Sequence, residues 1–184
     1  AAMKKTRDLT LCALLTALAL ALSYAERFIP LQLLIPLPGV KLGLANIATV
    51  TALYFLGTRQ AFAILTVRCL LGSLFGGGVT ALAFSLMGGL LAMGIMALAR
   101  HIPALSIYGV SLLGAAAHSA GQILAAMALL RSVYVAAYLS LLLAAGTVTG
   151  LLTGAAAAGL FRALLATGQG PGALRSDQST EEHT

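Results

Sequence analysis

Apolar stretches of about membrane-spanning length follow one another along almost the whole of this 184-residue sequence. A helix needs about 20 apolar residues to cross the hydrocarbon core of a bilayer, so the chain has room for about six crossings with very short loops. Only 9% of the residues are charged and 60% are hydrophobic, whereas about a quarter of the residues of a soluble domain are charged. The pattern predicts an all-α integral membrane protein, a bundle of about six transmembrane helices.

Interruptions of the apolar pattern set the predicted helix boundaries. We expect helices over residues 9–25, 43–56, 61–75, 79–99, 105–130 and 133–165. The last of these is too long for one straight crossing, so it should tilt, protrude or break near Gly146 or Gly150.

The two ends of the sequence differ from its apolar body. Ala1 and Ala2 before Met3 look like a remnant of cloning, and residues 166–184 are expected to form a flexible polar tail. Residues 1–165 are predicted to form a single membrane domain. The first apolar run lacks a convincing cleavage site, so we interpret it as a retained helix and not as a secretion signal.

The basic residues predict the orientation of the bundle. With the N-terminus inside, the basic residues at cytoplasmic helix ends are Lys4, Lys5, Arg7, Arg59, Arg100, Arg162 and Arg175. Those at the outer ends are Arg27, Lys41 and Arg131. Because cytoplasmic ends carry the excess of lysine and arginine, we expect both termini in the cytoplasm.

A stripe of small residues runs along the first predicted helix. Ala13, Ala17, Ala21 and Ala25 recur every fourth residue and therefore share one helix face. Small side chains allow another helix to approach closely in lipid. The stripe either docks a partner helix or packs within the bundle, and the pattern alone leaves both open.

The segment after the first helix is apolar but irregular. Pro30, Pro36 and Pro38 rule out a regular helix over residues 26–42. Irregular backbone at membrane depth must lie against protein or a cavity. We expect a structured loop that folds back over the bundle and gates a site, with Pro36, Pro38 and Gly39 as its gate residues.

Polar side chains within or beside the predicted helices are candidates for a binding site. Arg68 lies in the middle of the third helix, where a charge costs about 2.5–3.5 kcal/mol on insertion scales. No helix interior holds a carboxylate to pair with it, and Glu26 is the nearest candidate. An anionic ligand would satisfy Arg68, as would backbone carbonyls or extension of its side chain to the interface. The candidate substrate-binding residues are Lys41, Asn46, Tyr54, Arg68, His118 and Gln122.

Lys41 precedes the second helix, whose free N–H groups favour an anion. Its alternative role is to extend its ammonium to the outer headgroups. A ligand would enter from outside, between the 28–42 loop and the outer halves of the second, third and fifth helices.

Several classes of function are excluded by what the sequence lacks. The only aspartates are Asp8 and Asp177, so the paired aspartate clusters that hold magnesium for prenyl transfer cannot form. There is no P-loop, metal-ligand spacing or nucleophile elbow, and we therefore predict no enzyme, metal or cofactor. The net charge of +6 is scattered singly at the ends of apolar runs without aromatic stacking platforms, which argues against nucleic-acid binding.

The segment 38–47, Pro-Gly-Val-Lys-Leu-Gly-Leu-Ala-Asn-Ile, is followed by Ala-Leu-Tyr at 52–54 and by Arg68 with Leu-Leu-Gly-Ser-Leu at 70–74. Over residues 8–165 the chain resembles the family named heptaprenyl diphosphate synthase component I, also called the Gx transporter family. That family is similar to the substrate-binding S components of energy-coupling-factor (ECF) importers. The resemblance implies a multi-pass protein of the prokaryotic cytoplasmic membrane that captures a small anionic or amphipathic metabolite or vitamin.

The same resemblance implies partners and roles. In S components, an alanine stripe on the first helix docks onto a transmembrane coupling subunit driven by two ATPases, and the following loop gates the substrate. The family name offers an alternative, a non-catalytic membrane subunit of isoprenoid or quinone metabolism. A component of a flavin or quinone electron-transfer pathway is a further alternative that no ligating motif supports.

Overall fold

The computed structural model describes residues 2–28 and 41–166, and all regular elements in those ranges are helical. Six α-helices, numbered α1 to α6, run over Ala2–Ala25, Asn46–Phe55, Thr58–Gly72, Gly78–Ala99, Ile107–Leu130 and Leu139–Ala166. Short 3-10 segments cover Glu26–Phe28 and Val133–Tyr138, and a π-helical turn, Ser73–Gly77, joins α3 to α4. The predicted all-α fold with about six helices is confirmed. The gate residues Pro36, Pro38 and Gly39 and the tail from residue 167 onward lie outside the described ranges.

Four helical segments are long and apolar enough to cross a membrane. They are Thr6–Phe28, Gly78–Ala99, Ile107–Leu130 and Val133–Ala166. The helix α2 has 10 residues, which span about 15 Å at 1.5 Å per residue, or half of a hydrocarbon core of about 30 Å. The helix α3 has 15 residues and is extended by the π-helical turn. The protein is therefore a multi-pass membrane protein in which two helices are markedly shorter than the other four.

Gly43 explains why α2 begins later than predicted. Its φ of 85° lies in the left-handed region, which residues with a side chain rarely adopt. The N–H of Asn46 then donates to the Gly43 carbonyl at 2.9 Å. The chain makes a turn at this point, and the helix starts at Asn46 instead of residue 43.

Successive helices alternate in direction. The guanidinium of Arg100, after α4, donates to the Leu53 carbonyl near the end of α2 at 2.8 Å. Leu11 of α1 and Leu164 of α6 line one groove, so the start of α1 and the end of α6 lie together. We call this the terminal end, and the opposite end, where α1 finishes and α2 begins, the cluster end. The assignment of the terminal end to the cytoplasm stays a prediction.

The helix α6 is continuous over Leu139–Ala166, so of the three predicted ways to accommodate its length the break near Gly146 or Gly150 is excluded, and tilt and protrusion stay predictions. A Cβ at Gly150 would lie 3.0 Å from the Ala115 Cβ and 3.1 Å from the Leu112 Cα of α5. The missing side chain therefore permits close helix packing and does not bend the helix. The chain departs from α-helical geometry earlier, in the 3-10 segment Val133–Tyr138.

The helices α4, α5 and α6 form the most extensively packed part of the bundle, and we call them the close-packed half. A Cβ at Gly121 of α5 would lie 2.5 Å from the Met87 carbonyl oxygen and 2.8 Å from the Gly88 Cα. A Cβ at Gly114 would lie 2.5 Å from the Met96 sulfur. Bare backbone at these positions is what lets α4 and α5 approach each other.

Candidate functional site

Polar side chains from α1 to α5 and from the segment before α2 meet inside the bundle at its cluster end. All are buried except Lys41, which is partly buried. We call this set the polar cluster, and it consists of Glu26, Lys41, Asn46, Arg68, Ser85, His118 and Gln122. In a largely apolar bundle, such a concentration of polar groups marks a candidate binding site.

Arg68 of α3 is held at the centre of the cluster with only part of its hydrogen-bonding capacity used. Its side chain is 6% exposed, and Nη2 donates to the Asn46 Oδ1 at 3.3 Å. The Nε has no hydrogen-bond partner among the described residues. A buried donor without a partner costs about 1–3 kcal/mol, and more when the group is charged. Arg68 therefore favours an additional acceptor.

Glu26, directly after α1, is a member of the cluster that the sequence reasoning did not place among the binding residues. Its carboxylate accepts a hydrogen bond from the Leu44 N–H and interacts electrostatically with Arg68 and Lys41. Arg68 and Lys41 supply positive charge, and Glu26 is the single carboxylate of the cluster, so positive charge is in excess there. The signal in the sequence was Glu26 itself, an acidic residue beside the first apolar run.

Gln122 of α5 binds the peptide of Lys41 with both ends of its amide. Its Nε2 donates to the Lys41 carbonyl at 3.0 Å, and its Oε1 accepts from the Lys41 N–H at 3.4 Å. Gln122 Nε2 also lies 2.8 Å from His118 Nε2. Because an amide nitrogen only donates, His118 Nε2 accepts, and the proton of a neutral ring is on Nδ1. That Nδ1 lies beside the Gly88 backbone of α4, with which it interacts outside standard hydrogen-bond geometry.

Two adjacent glycines of α4 provide the surface on which Arg68 and His118 lie. A Cβ at Gly88 would lie 2.9 Å from His118 Nδ1, and a Cβ at Gly89 would lie 3.6 Å from Arg68 Nη2. The two side chains therefore pack at neighbouring positions of α4, and Arg68 lies close enough to interact electrostatically with His118. Together they form a donor pair suited to an anionic group.

Lys41 is directed into the bundle. Its ammonium donates to the Ser85 hydroxyl of α4 at 3.1 Å, which does not match the alternative of extension to the outer headgroups. Burial lowers the pKa of the Lys41 ammonium from its ordinary value, and the nearby Glu26 carboxylate opposes that shift. The cluster thus contains a second cation within reach of the interior.

The backbone of residues 41–45, which we call the linking segment, is fixed by side chains from several helices. Besides the hydrogen bonds with Glu26 and Gln122, the Thr149 hydroxyl of α6 lies 3.3 Å from the Leu42 carbonyl and shares its one proton with the Ala145 and Gly146 carbonyls of its own helix, each at 3.2 Å. A Cβ at Gly43 would lie 3.0 Å from the His118 Cδ2. The linking segment and the polar cluster therefore fold as one unit, and only glycine fits where the chain passes over His118.

Of the six predicted binding residues, Tyr54 is the one that the structure does not bring to the cluster. It lies eight residues after Asn46 on α2, which places it about 12 Å further along the helix axis. Its ring makes an edge contact with Phe161 of α6, with centroids 6.5 Å apart. Tyr54 therefore belongs to the terminal end of the bundle.

The alanine stripe faces away from the rest of the described chain. Ala13, Ala17, Ala21 and Ala25 are all exposed, whereas Leu15 and Ala19 on the other side of α1 are buried. The alternative in which the stripe packs within the bundle does not match this arrangement. The stripe is available to another protein or to lipid.

The described residues contain no group of three or more His, Cys, Asp and Glu side chains that could hold a metal ion. What the cluster offers is a set of hydrogen-bond donors with excess positive charge in apolar surroundings. Such a set favours binding of an anionic group.

A family model described as heptaprenyl diphosphate synthase component I matches residues 15–160. This range covers most of the chain and includes the whole polar cluster and the three C-terminal alanines of the stripe. No curated protein and no solved structure matches the chain.

Proposed function

The chain belongs to the heptaprenyl diphosphate synthase component I family, and from this premise we propose that it is the substrate-capture membrane subunit of an ECF-type importer. The observation that carries the proposal is the donor pair at the centre of the polar cluster. The Arg68 Nε is buried without a partner among the described residues, and the His118 Nδ1 is buried with only a poorly aligned contact to the Gly88 backbone.

The ligand in this proposal is a small molecule with a carboxylate or phosphate and an apolar part. Its anionic group would accept hydrogen bonds from Arg68 and His118, which supply a charge-assisted and a neutral donor. The excess positive charge of the cluster favours an anion, and the surrounding apolar side chains exclude water and strengthen the attraction. The apolar part would lie among the residues that surround the cluster.

Transport in this proposal depends on partner subunits, because the sequence has no nucleotide-binding motif. The exposed alanine stripe on α1 is the proposed docking surface for a transmembrane coupling subunit with two ATPases. Small side chains permit a close approach between helices in lipid. The cluster end then faces the outside, and both termini face the cytoplasm, as the basic residues predict.

The experiment that tests the division of labour compares two variants of the membrane-embedded protein. Ala17→Trp places a bulky ring on the stripe and should abolish co-purification of the coupling subunit, while the captured small molecule is retained. Arg68→Gln should abolish retention of the small molecule, while the coupling subunit still co-purifies. Ala156→Trp, at an exposed alanine of α6, is the matched control and should retain both partners. Equal loss of subunit and small molecule in Ala17→Trp would overturn the proposal.

The name of the family favours a second candidate function. A component I implies a second component, so the chain would be the non-catalytic membrane subunit that binds a soluble prenyl diphosphate synthase. Identification of the proteins that co-purify separates the two candidates. An ATPase module supports the importer, and a prenyl synthase that stays bound in Ala17→Trp supports the second candidate.

A further inference from the structure

A groove with only apolar lining runs between α1, α2 and α6 at the terminal end, away from the polar cluster. Its lining residues are Leu11, Leu14, Leu15, Leu18, Phe55, Leu56, Leu160 and Leu164. Leu14 is 61% exposed, so the groove opens at the surface of α1. This surface is distinct from the alanine stripe and has no role in the proposed capture of a substrate.

Arg7 lies on the groove-lining face of α1. Residues 7, 11, 14 and 18 are spaced by four, three and four positions and therefore share one helix face. Arg7 is partly buried, and its Nε and Nη2 have no hydrogen-bond partner among the described residues. These two nitrogens form one edge of the guanidinium, which can donate to two oxygens of a phosphate at once. Asp8 is seven residues before the lining residue Leu15, so its carboxylate borders the same groove next to Arg7.

The helix face from Arg7 to the far end of the groove is about as long as one leaflet of a bilayer. Arg7 and Leu18 are eleven residues apart, which corresponds to about 16 Å along the helix, and the groove lining from Leu11 to Leu18 takes up about 10 Å of it. Half of the hydrocarbon core is about 15 Å. Arg7 also stands at the beginning of the membrane-capable segment Thr6–Phe28, where headgroup phosphates are found. An arginine at the headgroup level, one helical turn before an apolar groove, is placed to bind the phosphate of a lipid whose acyl chain enters that groove.

We propose that this groove is a binding site for one anionic phospholipid of the surrounding bilayer. One acyl chain lies along the leucines between α1, α2 and α6, and the phosphate accepts hydrogen bonds from Arg7. The lipid covers the apolar junction between the first and last helices. The site is independent of the polar cluster, so failure of this proposal would leave the proposed capture of a substrate unaffected.

Native mass spectrometry of the delipidated protein in detergent tests the headgroup. Phosphatidylglycerol and phosphatidylcholine with identical acyl chains are added in separate titrations. The wild-type protein is expected to bind one phosphatidylglycerol about ten-fold more tightly than phosphatidylcholine. Arg7→Gln should remove that preference. Arg59→Gln, at an exposed arginine of α3, should preserve it.

A tryptophan substitution tests the acyl-chain slot. Leu14→Trp fills the groove at an exposed position where the fold tolerates a larger side chain, and it should weaken binding of both lipids. Leu9→Trp changes a 72% exposed leucine on another face of α1 and should leave binding intact. Circular dichroism confirms that each variant keeps its helices.

Three results would overturn the lipid site. One is an equal preference for phosphatidylglycerol in the wild-type protein and in Arg7→Gln. A second is lipid binding that Leu14→Trp leaves unchanged. A lipid-free dimer that Leu14→Trp dissociates would also overturn the proposal and would assign the groove to a second copy of the chain.

Discussion

The two halves of the bundle contribute different chemistry to the polar cluster. The close-packed half, α4 to α6, supplies groups without a permanent charge. These are Ser85, His118 and Gln122, together with Thr149 of α6, which contacts the linking segment. The other half, α1 to α3 with the linking segment, supplies every charged member: Glu26, Lys41 and Arg68. The boundary between the halves passes through the cluster.

This difference indicates how a membrane bundle can hold charges in its interior. Glycines that bring α4, α5 and α6 together give a rigid wall of neutral donors and acceptors. The charged side chains come from shorter helices and from irregular backbone, where they reach both the wall and each other. Charge and fixed geometry are thus supplied by separate parts of the chain. Substitutions in the close-packed half should change the geometry of the cluster, and substitutions in the other half should change its charge.

The largest expected effect is on the close-packed half. Gly121→Ala puts a Cβ 2.5 Å from the Met87 carbonyl oxygen, so α4 and α5 must separate. We expect a loss of about 1–3 kcal/mol of stability, measured by thermal unfolding in detergent. Gly159→Ala, whose added Cβ meets no atom within 4 Å, is the control and should not destabilise the protein. Equal melting temperatures for the two variants would contradict the rigid-wall account.

Gly88→Ala tests the surface that supports His118. The added methyl would lie 2.9 Å from His118 Nδ1, so the ring must shift away from Arg68. We expect occupancy by the captured molecule to fall about ten-fold, because a displaced donor no longer reaches its acceptor. Occupancy is measured by native mass spectrometry. Gly94→Ala, on the same helix with open space around it, should have no effect.

Glu26→Gln tests whether the negative charge of Glu26 weakens the binding of an anionic ligand. The amide oxygen still accepts from the Leu44 N–H, but the negative charge beside Arg68 and Lys41 is gone. An anionic ligand should bind about three- to ten-fold more tightly, since a like charge has been removed. Weaker binding than in the wild-type protein would show that Glu26 contacts a positive part of the ligand.

The pH dependence of capture tests Lys41. Because burial lowers the pKa of its ammonium, Lys41 loses its charge at a lower pH than an exposed lysine does. Anion binding should therefore decline as the pH rises through that lowered pKa. Lys41→Arg keeps the charge at all accessible pH values and should flatten the profile, as measured by ligand occupancy. A profile unchanged in Lys41→Arg would exclude Lys41 as the titrating group.

The smallest effect is expected for Thr149→Val. This substitution removes the shared hydrogen bond to the Leu42 carbonyl at 3.3 Å and keeps the shape of the side chain. We expect a change of about 0.5 kcal/mol in stability. Hydrogen exchange should become faster at the amides of the linking segment and stay unchanged in α6.

The four long helices could be predicted from the sequence because each contains a long apolar run, but only α4 and α5 have both ends near the predicted ones. The helix α1 begins at Ala2, seven residues before its predicted start, because its polar N-terminal flank is also helical, and α6 begins at Leu139, after a 3-10 segment. The predicted helix over 79–99 became Gly78–Ala99, and that over 105–130 became Ile107–Leu130. The predicted break in α6 failed, because a glycine that packs against a neighbouring helix and one that bends its own helix look alike in sequence. Only the contact with Ala115 separates the two cases.

The candidate site was predictable in part. Arg68, Asn46, His118 and Gln122 were chosen as polar residues in apolar helices, and the structure places them together with Lys41. Tyr54 was chosen on the same criterion, although the helical rise from Asn46 already places it about 12 Å away. Glu26 was noticed only as the nearest carboxylate that could pair with Arg68, and Ser85 joins the cluster through a tertiary contact with Lys41 that no local pattern reveals.

The most direct test of anion capture is native mass spectrometry of the purified protein, with a scan for a co-purified small molecule. The account predicts one discrete bound mass, whose molecule carries a carboxylate or phosphate. That mass should be lost in Arg68→Gln and retained in Arg59→Gln, an exposed arginine of the same helix. A protein that carries only phospholipid under conditions that retain tight ligands, or a bound mass that Arg68→Gln leaves unchanged, would contradict it.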